Sequence, residues 1–334
     1  MATHRIIIDC DPGHDDMAAI VLAAQHADIR IEAITSVCGN APVEKTTRNA
    51  LRIVAALGLD VPVHEGADAA LRHRYDFPTQ FHGESGLDSA GADLPATTRR
   101  PDPVHAVDAI IGLAERYRGE ITVVAIGPMT NLALALSRRP DLAQLLKQVV
   151  FMGGSTGAGN VTPAAEFNIW ADAEAADMVF RSGVKLVMFG LNVTHQTEFG
   201  RDEVAAIRAA TGDANPFADI MQFYCDVHYA HAGPDAPGAP LHDPCATAYL
   251  IDPELFTLAP HRGEVITADG AEYGRTRLVP IAGGGGKPGQ GLVHVAVGVD
   301  APRLAAMVTG ALIEAKRANP AGAPVKPSQI SSKG

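Results

Sequence analysis

The sequence is short of positive charge, of cysteine, of aromatic residues and of long apolar runs, and each shortage excludes something. Its 334 residues carry 27 Lys and Arg against 38 Asp and Glu, a formal net charge of −11. No Lys/Arg cluster is dense enough to track a phosphate backbone, which argues against a nucleic-acid partner. The acidity suits a small neutral ligand or a site that holds a cation. No apolar run approaches the ~18 residues of a membrane span, and no signal-peptide core follows Met1-Ala2-Thr3-His4-Arg5. Cys10, Cys38, Cys225 and Cys245 are far apart with no C-x-x-C pair, the pattern of reduced, buried thiols in a cytoplasmic protein. Aromatic residues make up 5% of the chain, and the one tryptophan, Trp170, is expected in the core rather than as a stacking platform.

What is present is 47% hydrophobic residues, enough for a sizeable core. Ile6-Ile7-Ile8 is a β-branched run of the kind buried on both faces of a parallel sheet. Further strands are expected at 29–37, 121–126, 149–152 and 185–189. Helical spacing marks 15–25, 42–57, 104–117, 131–137 and 172–180. Strands alternating with helices imply an α/β fold with an open, mostly parallel sheet flanked by helices, Rossmann-like in plan. In such sheets ligands bind beyond the carboxyl ends of the strands. A single domain is expected over 1–318. The aperiodic stretch 319–334 is expected to be a disordered tail. Residues 73–94, 232–240 and the glycine-dense 283–291 read as loops. The glycines of 153–159 fit no G-x-G-x-x-G register and read instead as a close backbone approach to a pocket.

Directly after the first strand stands Asp9-Cys10-Asp11-Pro12-Gly13-His14-Asp15-Asp16, four carboxylates within eight residues. They repel one another unless something positive lies among them. The Pro12-Gly13 turn lets Asp11 and the Asp15/Asp16 pair converge. Oxygen donors without a His/Cys cluster favour a hard cation, calcium or magnesium, over zinc. Calcium takes about six to eight oxygens, so a further donor is needed. His242-Asp243-Pro244 offers one, although Asp243 taken alone reads as a helix N-cap with proline behind it.

At this point the sequence resembles the nucleoside hydrolases (inosine–uridine-preferring and related N-ribohydrolases), whose N-terminal signature reads D-x-D-P-G-x-D-D. The likeness continues through Val37-Cys38-Gly39-Asn40, His82 to Gly86 (HGESG) and Gly127 to Asn131. It then runs through Met152-Gly153-Gly154, Ala165-Glu166-Phe167-Asn168 and His242-Asp243-Pro244-Cys245.

The resemblance implies calcium held by Asp11, Asp16, Asp243 and the backbone carbonyl of Ile126. It implies ribose recognition by Asp15, Asn40, Met152, Glu166 and Asn168, with Asn160 beside the hydroxymethyl group. His82, His228 and Tyr229 are expected toward the nucleobase. His228 departs from the more usual tyrosine or glutamine there. A homodimer or homotetramer is also implied.

The activity expected is calcium-dependent hydrolysis of a ribonucleoside to free base and ribose through an oxocarbenium-like transition state. Asp11 is the candidate general base and His242 the candidate acid for the departing base. Two other readings stay open. A phosphohydrolase also uses D-x-D after a strand, but Pro12-Gly13 and the lack of a motif lysine oppose it. A ribonucleoside-binding relative without turnover keeps every one of these residues.

Overall fold

The computed structural model describes residues 4–281 and 291–318. The expected tail at 319–334, and all of the expected 283–291 loop except Gly291, lie outside the described residues.

Among the described residues there are eleven strands: β1 (His4–Cys10), β2 (Ile29–Ser36), β3 (Val63–His64), β4 (Ile121–Ala125), β5 (Gln148–Met152), β6 (Leu186–Phe189), β7 (Glu198–Phe199), β8 (Ala239–Pro240), β9 (Phe256–Val265), β10 (Thr276–Pro280) and β11 (Leu292–Val299). Nine form one sheet in the order β10-β9-β11-β6-β5-β4-β1-β2-β3, and β7 and β8 form a small ribbon. The pairs from β11 through β6, β5, β4, β1 and β2 to β3 are parallel, whereas β9 pairs antiparallel with both β10 and β11. The sheet is therefore mixed and mostly parallel.

Helices cover both faces, and alternate residues of each strand feed two separate cores. Ile6, Ile8, Val124, Val150 and Val187 join one. Ile7, Val123, Val149, Phe151 and Leu186 join the other. This is why the central strands read as unbroken apolar runs: neither face is left to water. The helices Val43–Ala56, Ala106–Arg116, Thr130–Arg138 and Ala173–Arg181 fall where helical spacing placed them. Asp172 caps the last of these by accepting Ala175 N–H at 3.1 Å.

β1 and β4 are neighbours, and the chain leaves β1 toward β2 but leaves β4 toward β5, so the two connections turn away in opposite directions and leave a crevice between them. Asp9 aligns with Ala125, and Ile126 N–H donates to the Asp9 carbonyl at 2.8 Å. The two chain segments thus leave the sheet side by side, carrying Asp11 and Ile126 to the same edge.

Candidate active site

A cavity of about 640 Å³ opens above that crevice. Asp15, Asn40, Ile126, Met152, Asn160, Glu166, Asn168, His82, His228, His242 and Asp243 all line it. Asp11 and Asp16 are fully buried beneath its floor. Of the expected residues, Tyr229 is the one not brought there. It packs under the Arg201 guanidinium, 3.9 Å from the ring centroid, and Tyr224 of the same helix, Pro216–Ala232, lines the wall instead.

The acidic cluster is built by the Pro12-Gly13 turn. Asp16 opens the helix His14–Gln25 and accepts Gly13 N–H at 2.9 Å, Asp11 N–H at 3.2 Å and Asn40 Nδ2 at 3.2 Å. Asp11 accepts Asn40 N–H at 2.7 Å through Oδ2, while its Oδ1 is buried without a partner. Asp243 precedes the helix Pro244–Ile251 but makes no capping hydrogen bond. Its carboxylate instead meets those of Asp15 and Asp16, with one oxygen from each lying within 4.8 Å of the others. Asp15, Asp16 and Asp243 thus converge, with Asp11 tied to Asp16 through its backbone N–H.

Crowding and burial without a counter-charge hold these groups toward their neutral forms. Burial, then the Asp16 charge, raises Asp15 to about 8. Burial raises Asp16 to about 6 against the pull of its amide donors. Burial and neighbouring aspartates push Asp11 and Asp243 well above the usual carboxylate range. An orphaned carboxylate oxygen beside three converging carboxylates is a donor set that fits a hard divalent cation, which would offset this repulsion. The Ile126 carbonyl accepts Asn168 Nδ2 at 3.0 Å. A carbonyl oxygen has a second lone pair, so this bond does not use up its capacity.

Glu166 and Asn168 turn out to be scaffold as well as lining. Glu166 caps the helix Phe167–Ala171 and accepts three backbone N–H groups, from Gly154 (2.8 Å), Asn168 (2.8 Å) and Ile169 (3.1 Å). Burial nonetheless lifts its pKa to about 7. Asn168 Nδ2 also reaches the Met152 carbonyl at 3.3 Å, tying the ends of β4 and β5 together. Asn160 accepts Phe167 N–H at 2.9 Å.

At the other end of the cavity stand four histidines: His82, His195, His228 and His242. His242 Nδ1 lies 2.7 Å from Thr194 Oγ1. Burial, then the His195 and His228 charges, holds His242 well below the ordinary imidazole range. Trp170 departs from expectation. It is half-buried and lines the cavity together with Phe77, Phe81 and Phe167. Sequence reasoning missed His195, although its position just after β6 follows the same strand-end rule as the other site residues. It also did not single out Tyr224, because an aromatic at helical spacing carries no mark of facing a cavity.

The sequence pattern of the inosine-uridine preferring nucleoside hydrolases matches residues 6–306. The chain is 44% identical over 254 residues to the pyrimidine-specific ribonucleoside hydrolase RihA of Enterobacter sp. (strain 638), covering 75% of this chain and 80% of that one. It is 40% identical over 301 residues to the pyrimidine-specific ribonucleoside hydrolase RihB of Escherichia coli (strain K12), covering 90% and 95%. The solved purine-preferring ribonucleoside hydrolase of Gardnerella vaginalis superposes with a TM-score of 0.85 at 34% identity, over 95% of this chain and 100% of that one. With the acidic cluster, the crevice and these matches together, the chain belongs to the inosine-uridine preferring nucleoside hydrolase family and is a ribonucleoside hydrolase.

Proposed function

We propose that the enzyme is calcium-dependent and that Asp11, Asp16, Asp243 and the Ile126 carbonyl hold the ion, with Asp15 beside it. The observation that carries this reading is the buried meeting of Asp15, Asp16 and Asp243 next to the unpartnered Asp11 Oδ1. When bound, a divalent cation supplies charge neutralisation among the aspartates and an electrophilic anchor for hydroxyl oxygens. Oxygen-only donors favour calcium or magnesium, and the family resemblance favours calcium.

The chain's own groups then divide the work. Asp15, Asn40 and Asn168 bind the ribose hydroxyls, with Met152 against the sugar and Asn160 and Glu166 toward the hydroxymethyl end. This fixes the anomeric carbon relative to Asp11. Asp11 accepts the proton of the attacking water as the N-glycosidic bond lengthens. The surrounding carboxylates stabilise the positive charge developing on the ring. His242, kept neutral by burial, donates a hydrogen bond from Nε2 to the departing base while Thr194 Oγ1–H donates to its Nδ1. His82 and His228 contact the base, and Tyr229 supports the wall from behind. No lysine or arginine is among the described lining residues, which supports an uncharged nucleoside over a phosphoester.

The curated relatives named above are called pyrimidine-specific, so uridine and cytidine lead the candidate substrates. One catalytic domain over 1–318, a dimer or tetramer, and a reducing cytoplasmic setting suited to the four unpaired thiols complete the reading. The test is ribose and free-base release from uridine, cytidine, inosine and adenosine, with calcium and after chelation. Calcium-dependent release with a pyrimidine preference is expected. Phosphate release from phosphoesters, or tight nucleoside binding in calcium without cleavage, would overturn it.

A further inference from the structure

The motif His82 to Gly86 and the histidine inside the acidic signature, His14, have no part in holding metal or ribose, yet they are joined. His14 Nε2 lies 2.9 Å from the Asp88 carbonyl, and His14 Nδ1 lies 3.1 Å from His82 Nδ1. We propose that His14 is a positioning residue that fixes the tautomer of His82, so that His82 offers the cavity a bare Nε2 and selects nucleobases carrying an N–H donor. The inference rests on the proposed function for what enters the cavity, but its geometry does not.

A carbonyl only accepts, so the proton between Asp88 and His14 sits on His14 Nε2. A neutral imidazole carries a single N–H, which leaves His14 Nδ1 as a lone pair. His82 Nδ1 must then be the donor across the 3.1 Å contact, and its own Nε2 is left as an acceptor. His82 Nε2 has no hydrogen-bond partner among the described residues and is not among the sealed, unpartnered atoms. Since His82 lines the cavity, that nitrogen faces it. At pH 8, above the ordinary imidazole pKa of about 6.5, both buried rings are neutral without any special effect.

The surroundings hold this relay rigidly. The His14 ring is stacked near-parallel on Phe223 (5.2 Å, 7°) and Tyr224 (5.4 Å, 8°). The Asp88 carboxylate accepts Glu84 N–H and Ser85 N–H, both at 3.0 Å, and Asp88 N–H returns to the His82 carbonyl at 3.3 Å. The loop is thereby closed on itself and presents a fixed carbonyl. A Cβ at Gly13 would overlap His82 Nδ1, so only glycine lets the ring sit there. His228 repeats the arrangement: its Nδ1 donates to the Tyr224 carbonyl at 3.0 Å, leaving Nε2 bare. The base end of the cavity is thus lined with acceptors, and the hydrogen bond to the leaving base falls to His242.

The experiment is a long-range proton–nitrogen correlation spectrum of the calcium-loaded enzyme at pH 8, with His82 assigned through His82→Gln. A His82 protonated on Nδ1 is expected, and one protonated on Nε2 overturns the proposal. This reading needs no turnover, so its failure is distinguishable from failure of the proposed function. In His14→Phe, which keeps a stacked ring but removes the relay, kcat/KM should fall about tenfold more for uridine than for p-nitrophenyl riboside, which lacks an N–H. That loss should appear mainly in KM, and His14→Gln should recover part of it. Equal losses on both substrates, with the His82 tautomer unchanged, would also overturn the inference.

Discussion

Asn40 holds Asp11 twice, its backbone N–H donating to Asp11 Oδ2 at 2.7 Å and its Nδ2 donating to the Asp11 carbonyl at 3.2 Å, while Asp11 Oδ1 stays uncommitted in a fully buried setting. The neighbouring glycines make room for it. A Cβ at Gly39 would overlap Asp11 Oδ2, and one at Gly127 would lie 2.5 Å from Asp11 Oδ1. The signature aspartate is thus boxed in by backbone from β2 and β4 and held in one orientation.

Gly39→Ala should therefore disable the enzyme without unfolding it. Gly39 does not sit in the left-handed region, so the cost is one of space around Asp11 rather than backbone strain. A displacement of about an ångström at a reacting group costs on the order of a hundredfold in rate. Steady-state kinetics beside circular dichroism check this. Near-normal kcat in the folded variant would remove Asp11's orientation from the account.

Asp11→Ala should lower kcat by about 10²–10⁴, the range for losing a general base, with far-ultraviolet circular dichroism unchanged. A kcat within a few-fold of wild type would refute the role.

The pH dependence of stability follows from the acidic cluster. Asp15 at about 8, Asp16 at about 6 and Glu166 at about 7 are all raised in the folded protein by burial. Between the ordinary carboxylate range of about 4 and these values, the unfolded chain has released protons that the folded chain keeps. The stabilisation is complete below the unfolded pKa values and is lost as pH rises through the folded ones. The metal-free protein should therefore melt at a lower temperature at pH 8 than at pH 5. Calcium favours the charged carboxylates, so the melting-temperature gain it gives should grow with pH. At a hundredfold excess over Kd, that gain should be on the order of 5 °C at pH 8. A gain independent of pH would contradict this.

Much of this was legible in the sequence for physical reasons, and the rest was not. The central parallel strands announce themselves because burial on both faces demands unbroken β-branched runs such as Ile6-Ile7-Ile8. Asp9 to Asp16 stands out because four carboxylates so close together need a reason. The antiparallel additions β9 and β10 were not foreseen. Phe256–Val265 mixes buried and exposed residues without a clean period, because it lies toward the edge of the sheet. Side-chain direction was hidden too. Tyr224 and Tyr229 share one helix, and spacing alone could not say which faced the cavity. Glu166 looked like a ribose contact, but the sequence does not show that its carboxylate also ties three backbone amides.

Glu166→Ala should consequently lower stability as well as activity. It leaves the N–H groups of Gly154, Asn168 and Ile169 without their acceptor, at about 1–3 kcal/mol for each one that stays buried. A urea midpoint shift equivalent to at least ~3 kcal/mol is expected, with Glu166→Gln intermediate. An unshifted midpoint with only KM raised would show Glu166 to be a ligand contact alone.

His242→Ala should hurt substrates in proportion to how poorly their base departs. In the proposed role the ring donates a hydrogen bond to the departing base, and kcat should fall about 10²–10⁴ on uridine but far less on p-nitrophenyl riboside. Equal losses on both would reduce His242 to orienting Asp243.

The central claim is that aspartates from both ends of the chain share one divalent ion at the floor of the cavity. A crystal structure of the enzyme grown in calcium, with anomalous scattering to locate the ion, tests it most directly. The account predicts one calcium touching the carboxylates of Asp11, Asp16 and Asp243 and the carbonyl of Ile126. Those carboxylates turned apart with no ion between them, or calcium bound only elsewhere, would contradict it.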